Sequence, residues 1–252
     1  MSKIVDFPLL LFAASFFCLC FSGYVGGFIR ERRRPMGEDE REDLGVVQSA
    51  AVTLLCLLIG FSFSMAISRY EQRKTFEEAE ANAIGTEYVR ADVLPAGDAA
   101  KVRALLRTYV DQRILFYTTR ADQDLRQINA TTGQLQTQLW SSVQLPAMSQ
   151  PTALMGLALS GMNDVLNSQG YTQAAWWNRI PVEAWVLLEG IAVGCNLLIG
   201  YGNHRTGTLL IVLPLAVSVS FFLIADIDSP RGGMIRVQPQ NLISLAHSIP
   251  PQ

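Results

Sequence analysis

LGVVQSAAVTLLCLLIGFSFSMAIS, residues Leu44 to Ser68, runs for 25 residues without a charge and then turns into Arg69-Tyr70-Glu71-Gln72-Arg73-Lys74. An uncharged, mostly apolar run of 18 residues or more has the length of a membrane-spanning helix. Its basic, aromatic border is what a helix shows on leaving a bilayer. The helical pattern does not stop there, so the segment reads as a span that runs on into a charged helix outside the lipid.

Three further apolar runs flank this one. Phe7 to Ile29 carries no charge and is followed by Arg30-Glu31-Arg32-Arg33-Arg34. It is too long, and lacks the basic n-region, for a cleaved signal, so it reads as a retained span. Pro181 to Tyr201 opens on a proline, where a missing N–H costs little, and Thr206 to Ala225 follows it after a short loop from Gly202 to Arg205. The pattern defines an all-α membrane protein with four transmembrane helices and a helical extramembrane domain between the second and third. The boundaries are 1–68 for spans one and two, 69–180 for the domain, 181–228 for spans three and four, and 229–252 for a tail.

The composition fits. Half of the residues are hydrophobic and 17% are charged, against about 25% in ordinary soluble domains. The net charge of −2 provides no field for nucleic acid. Cys18, Cys20, Cys56 and Cys195 all lie inside apolar runs, as small buried hydrophobes rather than a disulfide framework.

Residues 69–179 hold eleven Lys/Arg and eleven Asp/Glu. Val102, Leu105, Leu106, Tyr109, Val110, Ile114 and Tyr117 recur at spacings of three and four, one apolar stripe of a helix. Asp98 is the expected N-cap, after a break at Pro95 to Gly97. Further helices are expected over Ala121 to Val143 and Thr152 to Trp177, separated by Pro146 to Pro151. The tail, rich in proline and glycine, is expected to be largely extended. Trp176, Trp177 and Trp185 fit an aromatic belt at the start of the third span.

Two motifs carry a resemblance. Leu57-Leu58-Ile59-Gly60-Phe61, Ser64, Arg69-Tyr70-Glu71 and Arg73-Lys74 resemble the bestrophins, although the tryptophan usual between these groups is missing. Asp226-Ile227-Asp228-Ser229-Pro230-Arg231-Gly232 is similar to the bestrophin acidic-x-acidic turn, with Arg231 in place of a phenylalanine. With Glu80 to Thr86, this turn is also similar to the bacterial bestrophin-like proteins. The resemblance implies a homopentameric ion channel whose second helices line a pore with an apolar neck. It places both termini and the helical domain in the cytosol, in a multi-pass protein of the bacterial inner membrane. Lys/Arg counts alone leave the orientation a near tie, six against seven.

Carried over residue by residue, the resemblance puts Thr53, Leu57 and Phe61 at the neck. Four apart, they share one helix face, and a ring of such side chains can gate by dewetting. The alternative is that Leu57 and Phe61 face lipid or another span. Arg69, Arg73 and Lys74 either make a vestibule positive, meet lipid phosphates, or pair with Glu77, Glu78 and Glu80. Glu189, an acid inside the third span, is a candidate for a cation or proton path; otherwise it is a neutral acid bonded to Asn196 or Cys195, or a carboxyl snorkelling at the bundle edge. Asp226 and Asp228 either hold a cation or end the fourth span in a turn.

Enzyme chemistry finds no support. The histidines are His204 and His247, and no nucleophile elbow or phosphate-cradling loop occurs. No cofactor is expected; the expected partners are membrane lipids, inorganic ions and further copies of the chain. Gly23, Gly26 and Gly27 are spaced for close helix packing. Two readings compete with a channel: a non-conducting sensor or scaffold whose helical domain binds a protein, and a proton-coupled transporter using Glu189.

Overall fold

The computed structural model describes residues 7–34, 36–202 and 209–250. Most of the expected loop between the third and fourth spans, including His204 and Arg205, lies outside them. The described residues form eight α-helices and a short 3-10 segment, with no strand among them. They divide into two compact units, Met1–Tyr70 with Arg179–Arg236 and Glu71–Asn178 with Val237–Gln252.

The first unit contains α1 (Pro8–Glu31), the first part of α2 (Glu38–Arg90), α6 (Val182–Gly202) and α7 (Leu209–Asp228). These contribute the four helices long and apolar enough to cross a membrane. Proline opens α1, where its missing N–H is not needed. Leu19, Leu55, Ala66, Trp185, Leu188, Ala192, Phe221 and Ile224 form the shared core. The four cysteines are unpaired thiols.

Small residues bring α1 and α6 together. A Cβ on Gly26 would overlap the carbonyl oxygen of Leu197, and one on Gly200 would overlap that of Gly23. Backbone thus meets backbone, the packing that small residues permit where lipid offers no hydrophobic drive. Ser22 donates to the Val193 carbonyl at 3.0 Å across the same seam. Gly27 is not part of the tight contact: a Cβ there would sit 3.6 Å from the Gly200 oxygen, an ordinary distance.

The second unit contains the rest of α2, the 3-10 segment Ala91–Val93, α3 (Ala96–Thr118), α4 (Asp122–Ser149), α5 (Ala153–Trp177) and α8 (Gln240–Ser248). On α3 the expected stripe is the buried face, with Val102, Leu106 and Tyr109 fully buried. Asp98 lies in the first turn rather than at the cap, because Pro95 begins the helix by accepting from Ala99 N–H. Helix α4 runs three residues past Pro146, since that proline stands in the last turn and its own carbonyl still accepts from Gln150 N–H at 2.9 Å. Thr152 caps α5 by accepting from Met155 N–H at 3.2 Å.

Two expectations are corrected here. The tail is not largely extended: Pro239 starts α8, which buries Leu242. Its open N-terminus is closed from α2, where Glu77 Oε1 accepts from Leu242 N–H at 3.0 Å and Oε2 from Asn241 Nδ2 at 2.7 Å. A carboxylate there satisfies orphan donors and meets the positive end of the helix dipole. Trp176 is not a belt residue either; it is buried among Phe116 and Tyr117, at ring distances of 4.9 and 5.4 Å. Trp185 is buried in the first unit, and only Trp177 of the three is exposed.

A polar network sits inside the second unit. Glu80 accepts from Arg113 Nε, Tyr117 Oη at 3.3 Å and Thr172 Oγ1 at 3.1 Å, all buried. Burial alone would lower the Arg113 guanidinium, but the Glu80 carboxylate raises it overall. Burial, and then the charge of Glu80, push the Tyr117 hydroxyl well up. Removing one member of such a pair leaves the other charge uncompensated.

Glu87 is buried too, yet neither of its carboxyl oxygens has a hydrogen-bond partner. It lies against Gly161 of α5, where a Cβ would overlap both Glu87 Oε2 and Arg90 Nη1. Burial pushes its carboxyl up to about 8; Arg90 pulls it down and Asp164 on α5 pushes it further up. The folded state therefore holds a proton that the unfolded chain releases near the ordinary carboxylate range. The stability this contributes is complete below that range and is lost as pH rises through about 8.

Gly200→Ala lowers the thermal midpoint of the detergent-purified protein, at a cost of about 1–3 kcal/mol for overpacking against backbone. Gly190→Ala, with nothing within 4 Å of its new methyl, leaves the midpoint in place. A thermal midpoint measured from pH 6 to pH 9 falls more steeply in the wild type than in Glu87→Gln; parallel curves would show that Glu87 does not bind this proton.

Candidate functional site

Helix α2 has two different faces where it belongs to the first unit. Leu55 and Ala66 are 1% and 0% exposed. Leu57 and Phe61 are 52% and 60% exposed, and Thr53, Gly60, Ser64 and Ser68 are exposed beside them. These positions recur at spacings of three and four along the helix, and Leu54, Cys56, Phe63, Met65 and Ile67 are exposed as well, so the open surface is wider than this one stripe. Thr53 Oγ1 donates to the Ser49 carbonyl at 2.8 Å, and Ser49 Oγ to that of Gly45 at 2.9 Å. The hydroxyls of Ser49 and Thr53 are therefore satisfied within the helix and leave it mildly polar at that end. The apolar window of α2 is 11% buried, against 44% for that of α7.

The exit of this stripe is held by an acid. Asp228 is completely buried. Its carboxylate accepts from Ile180 N–H at 3.1 and 3.3 Å and lies 3.3 Å from Arg69 Nη1 and 3.6 Å from Arg179 Nε. Asp226 accepts from Met234 N–H at 2.7 Å and Ile235 N–H at 2.8 Å. A Cβ on Gly233 would overlap the Asp226 carbonyl oxygen, so the returning chain needs a glycine there. Both acids thus act as acceptors that fold the turn. Among the described residues no group of three or more His, Cys, Asp or Glu is placed to hold a metal ion.

The remaining candidates occupy different surroundings. Arg69 is partly covered beside Asp228, and Lys74 is exposed. Arg73 is 1% exposed, and its Nε donates to the Ala175 carbonyl of α5 at 3.3 Å. Glu189 accepts from Ser15 Oγ of α1 at 2.9 Å. It bonds neither Asn196 nor Cys195; Asn196 Nδ2 donates instead to its own helix at Ala192.

Sequence reasoning missed the buried acids Glu77, Glu80 and Glu87. A signal was present in their spacing: Arg73, Glu77, Glu80, Ile84, Glu87 and Ala91 fall at steps of three and four, and all are buried. Charge made this stripe look like a solvated face.

Residues 12–242 match the family model of the bestrophin-like domain. The fold matches the bacterial bestrophin homologue of Klebsiella pneumoniae. The crystal structure solved by zinc anomalous phasing superposes with a TM-score of 0.64 at 13% identity, over 94% of this chain and 99% of that one. A point variant of that homologue gives 0.63 at 13% identity, over 94% and 96%. No curated protein matches the chain. With four helices of membrane-spanning length and a family match that runs through both units, this integral membrane protein belongs to the bestrophin-like domain family.

Proposed function

We propose that the chain is one subunit of a bestrophin-type ion channel, a homopentamer in the bacterial inner membrane. In this reading the stripe Thr53, Leu57 and Phe61 of α2 forms the neck. The observation that carries it is the exposed face of α2: a helix with one side in the core of its unit and the other open along its apolar length. Repeated about a symmetry axis, that face encloses an uncharged constriction. An apolar ring closes to ions by dewetting, because ions do not shed their water without ligands in return. Phe61 is the largest side chain of the three and sets the diameter. The preferred ion then depends on charges outside the neck, of which the exposed Lys74 is one candidate. The hydrogen bond from Ser15 gives Glu189 a packing role between α1 and α6, which favours the channel over proton-coupled transport.

Flux through purified protein in liposomes tests this, with chloride and potassium gradients applied separately. Phe61→Ala raises the flux or removes its gating, by about tenfold or more. Folded oligomers that conduct neither ion, in either form, would leave the scaffold reading in its place. The mass of the detergent-purified complex, corrected for bound detergent, is five times the 27.8 kDa of the chain; a monomer would sink the shared pore.

A further inference from the structure

The charged connection between α1 and α2 borders a cavity of about 380 Å³ within the first unit, the size of a small-ligand site (~300–1,000 Å³). Arg30, Arg33 and Arg34 supply one wall, at the end of α1 and just past it. Glu40, Asp43, Leu44 and Val47 supply the other, from α2. These four positions are spaced by three, one and three, so they lie on one helix face. Along that face the chemistry changes from carboxylate to aliphatic. The change falls at Leu44, where the uncharged run of the span begins. Below it the apolar surface continues: Val46 and Val47 are 70% and 52% exposed.

Cations on one wall, carboxylates opposite and an aliphatic path leading away match an amphiphile with a dipolar head. We propose that this cavity binds a phospholipid whose headgroup carries both a phosphate and a primary ammonium, a phosphoethanolamine. The arginines take the phosphate, a partner suited to the guanidinium fork. Glu40 and Asp43 accept hydrogen bonds from the ammonium, and the acyl chains descend along Leu44 and Val47.

Two details favour this headgroup over its relatives. A quaternary ammonium has no N–H to give the carboxylates and prefers aromatic faces. The aromatic residue of this cavity, Tyr201, is already covered by the Arg30 guanidinium, 5.8 Å from its ring centre. An anionic glycerol headgroup offers the two acids only neutral hydroxyl donors, without the positive charge of an ammonium. Ligand access is cheap as well, since the ion pair between two lining residues, Arg34 and Glu40 at 3.7 Å, is solvent-exposed on both sides. Exposed pairs of this kind contribute little and open readily.

Native mass spectrometry on the delipidated full-length protein tests the site. Phosphatidylethanolamine, phosphatidylcholine and phosphatidylglycerol of the same acyl chains are titrated one at a time. The wild type binds the ethanolamine lipid about tenfold more tightly than the other two, the value of one charge-assisted hydrogen bond. Glu40→Gln with Asp43→Asn, nearly isosteric, abolishes that preference over choline, whereas Arg30→Ala with Arg33→Ala weakens all three lipids. Equal binding of the three lipids by the wild type overturns the proposal, as does a preference that survives in the carboxamide variant. Displacement by soluble glycerophosphoethanolamine at concentrations equal to the lipid's would assign the site to a free phosphoester and also overturn it. If a variant fails to fold, the wild-type ranking alone decides.

Discussion

One buried carboxylate fixes the geometry on which the candidate site depends. Asp228 has no contact with solvent, and it gathers the Ile180 N–H, Arg69 and Arg179. A carboxyl buried in that position is tolerable only when its lone pairs are fully used. Its partners come from the end of the α2 span and from the segment just before α6, and it belongs to the last turn of α7 itself. Three chain segments far apart in sequence are therefore registered by one group. Asp226, two residues earlier, returns the following strand of backbone through Met234 and Ile235. Acidic residues at this spacing resemble the start of a cation loop. Here the positive charges are guanidinium groups and amide protons of the chain itself.

What the sequence made legible follows from which signals are one-dimensional. Spans are, because hydrocarbon must be crossed by an unbroken run of apolar residues. The four runs appear as four helices, the second of which starts at Glu38 and continues to Arg90. The α3 stripe was legible for the same reason, since period and hydropathy agreed. The C-terminal helix was not. Gln240 to Ser248 is short, and its stability comes from Glu77 on another helix and from burying Leu242, neither of which is local. Isolated helices of that length are marginal, so local propensity had nothing to report.

The candidate site divides along the same line. That Thr53, Leu57 and Phe61 share a face needed only the helical repeat; that this face is the open one required the packing of Leu55 and Ala66 on the other side. Arg73 illustrates the converse. Beside Arg69 and Lys74 it looks like the third member of a basic patch, but 100° per residue separates neighbours on a helix. Its head group ends on the Ala175 carbonyl while Lys74 remains in solvent. Spacing alone contained that distinction, since Arg73 is in step with Glu77, Glu80 and Glu87.

The two stretches of α2 thus invert the usual assignment of chemistry to faces. In the first, the apolar residues Leu57 and Phe61 are outside; in the second, the ionisable residues Arg73, Glu77, Glu80 and Glu87 are inside. An ordinary soluble helix shows neither. Exposed apolar residues need no water when lipid or a neighbouring subunit covers them. Buried charges need satisfied partners, and Glu80 finds Arg113, Tyr117 and Thr172 while Glu77 finds the start of α8. Such partners are directional where apolar packing is not. A helix face held by hydrogen-bonded acids accepts few alternative registers, because a shift of one residue leaves several charges unpaired at once. Buried acids thereby fix the rotation of α2 about its axis in the second unit.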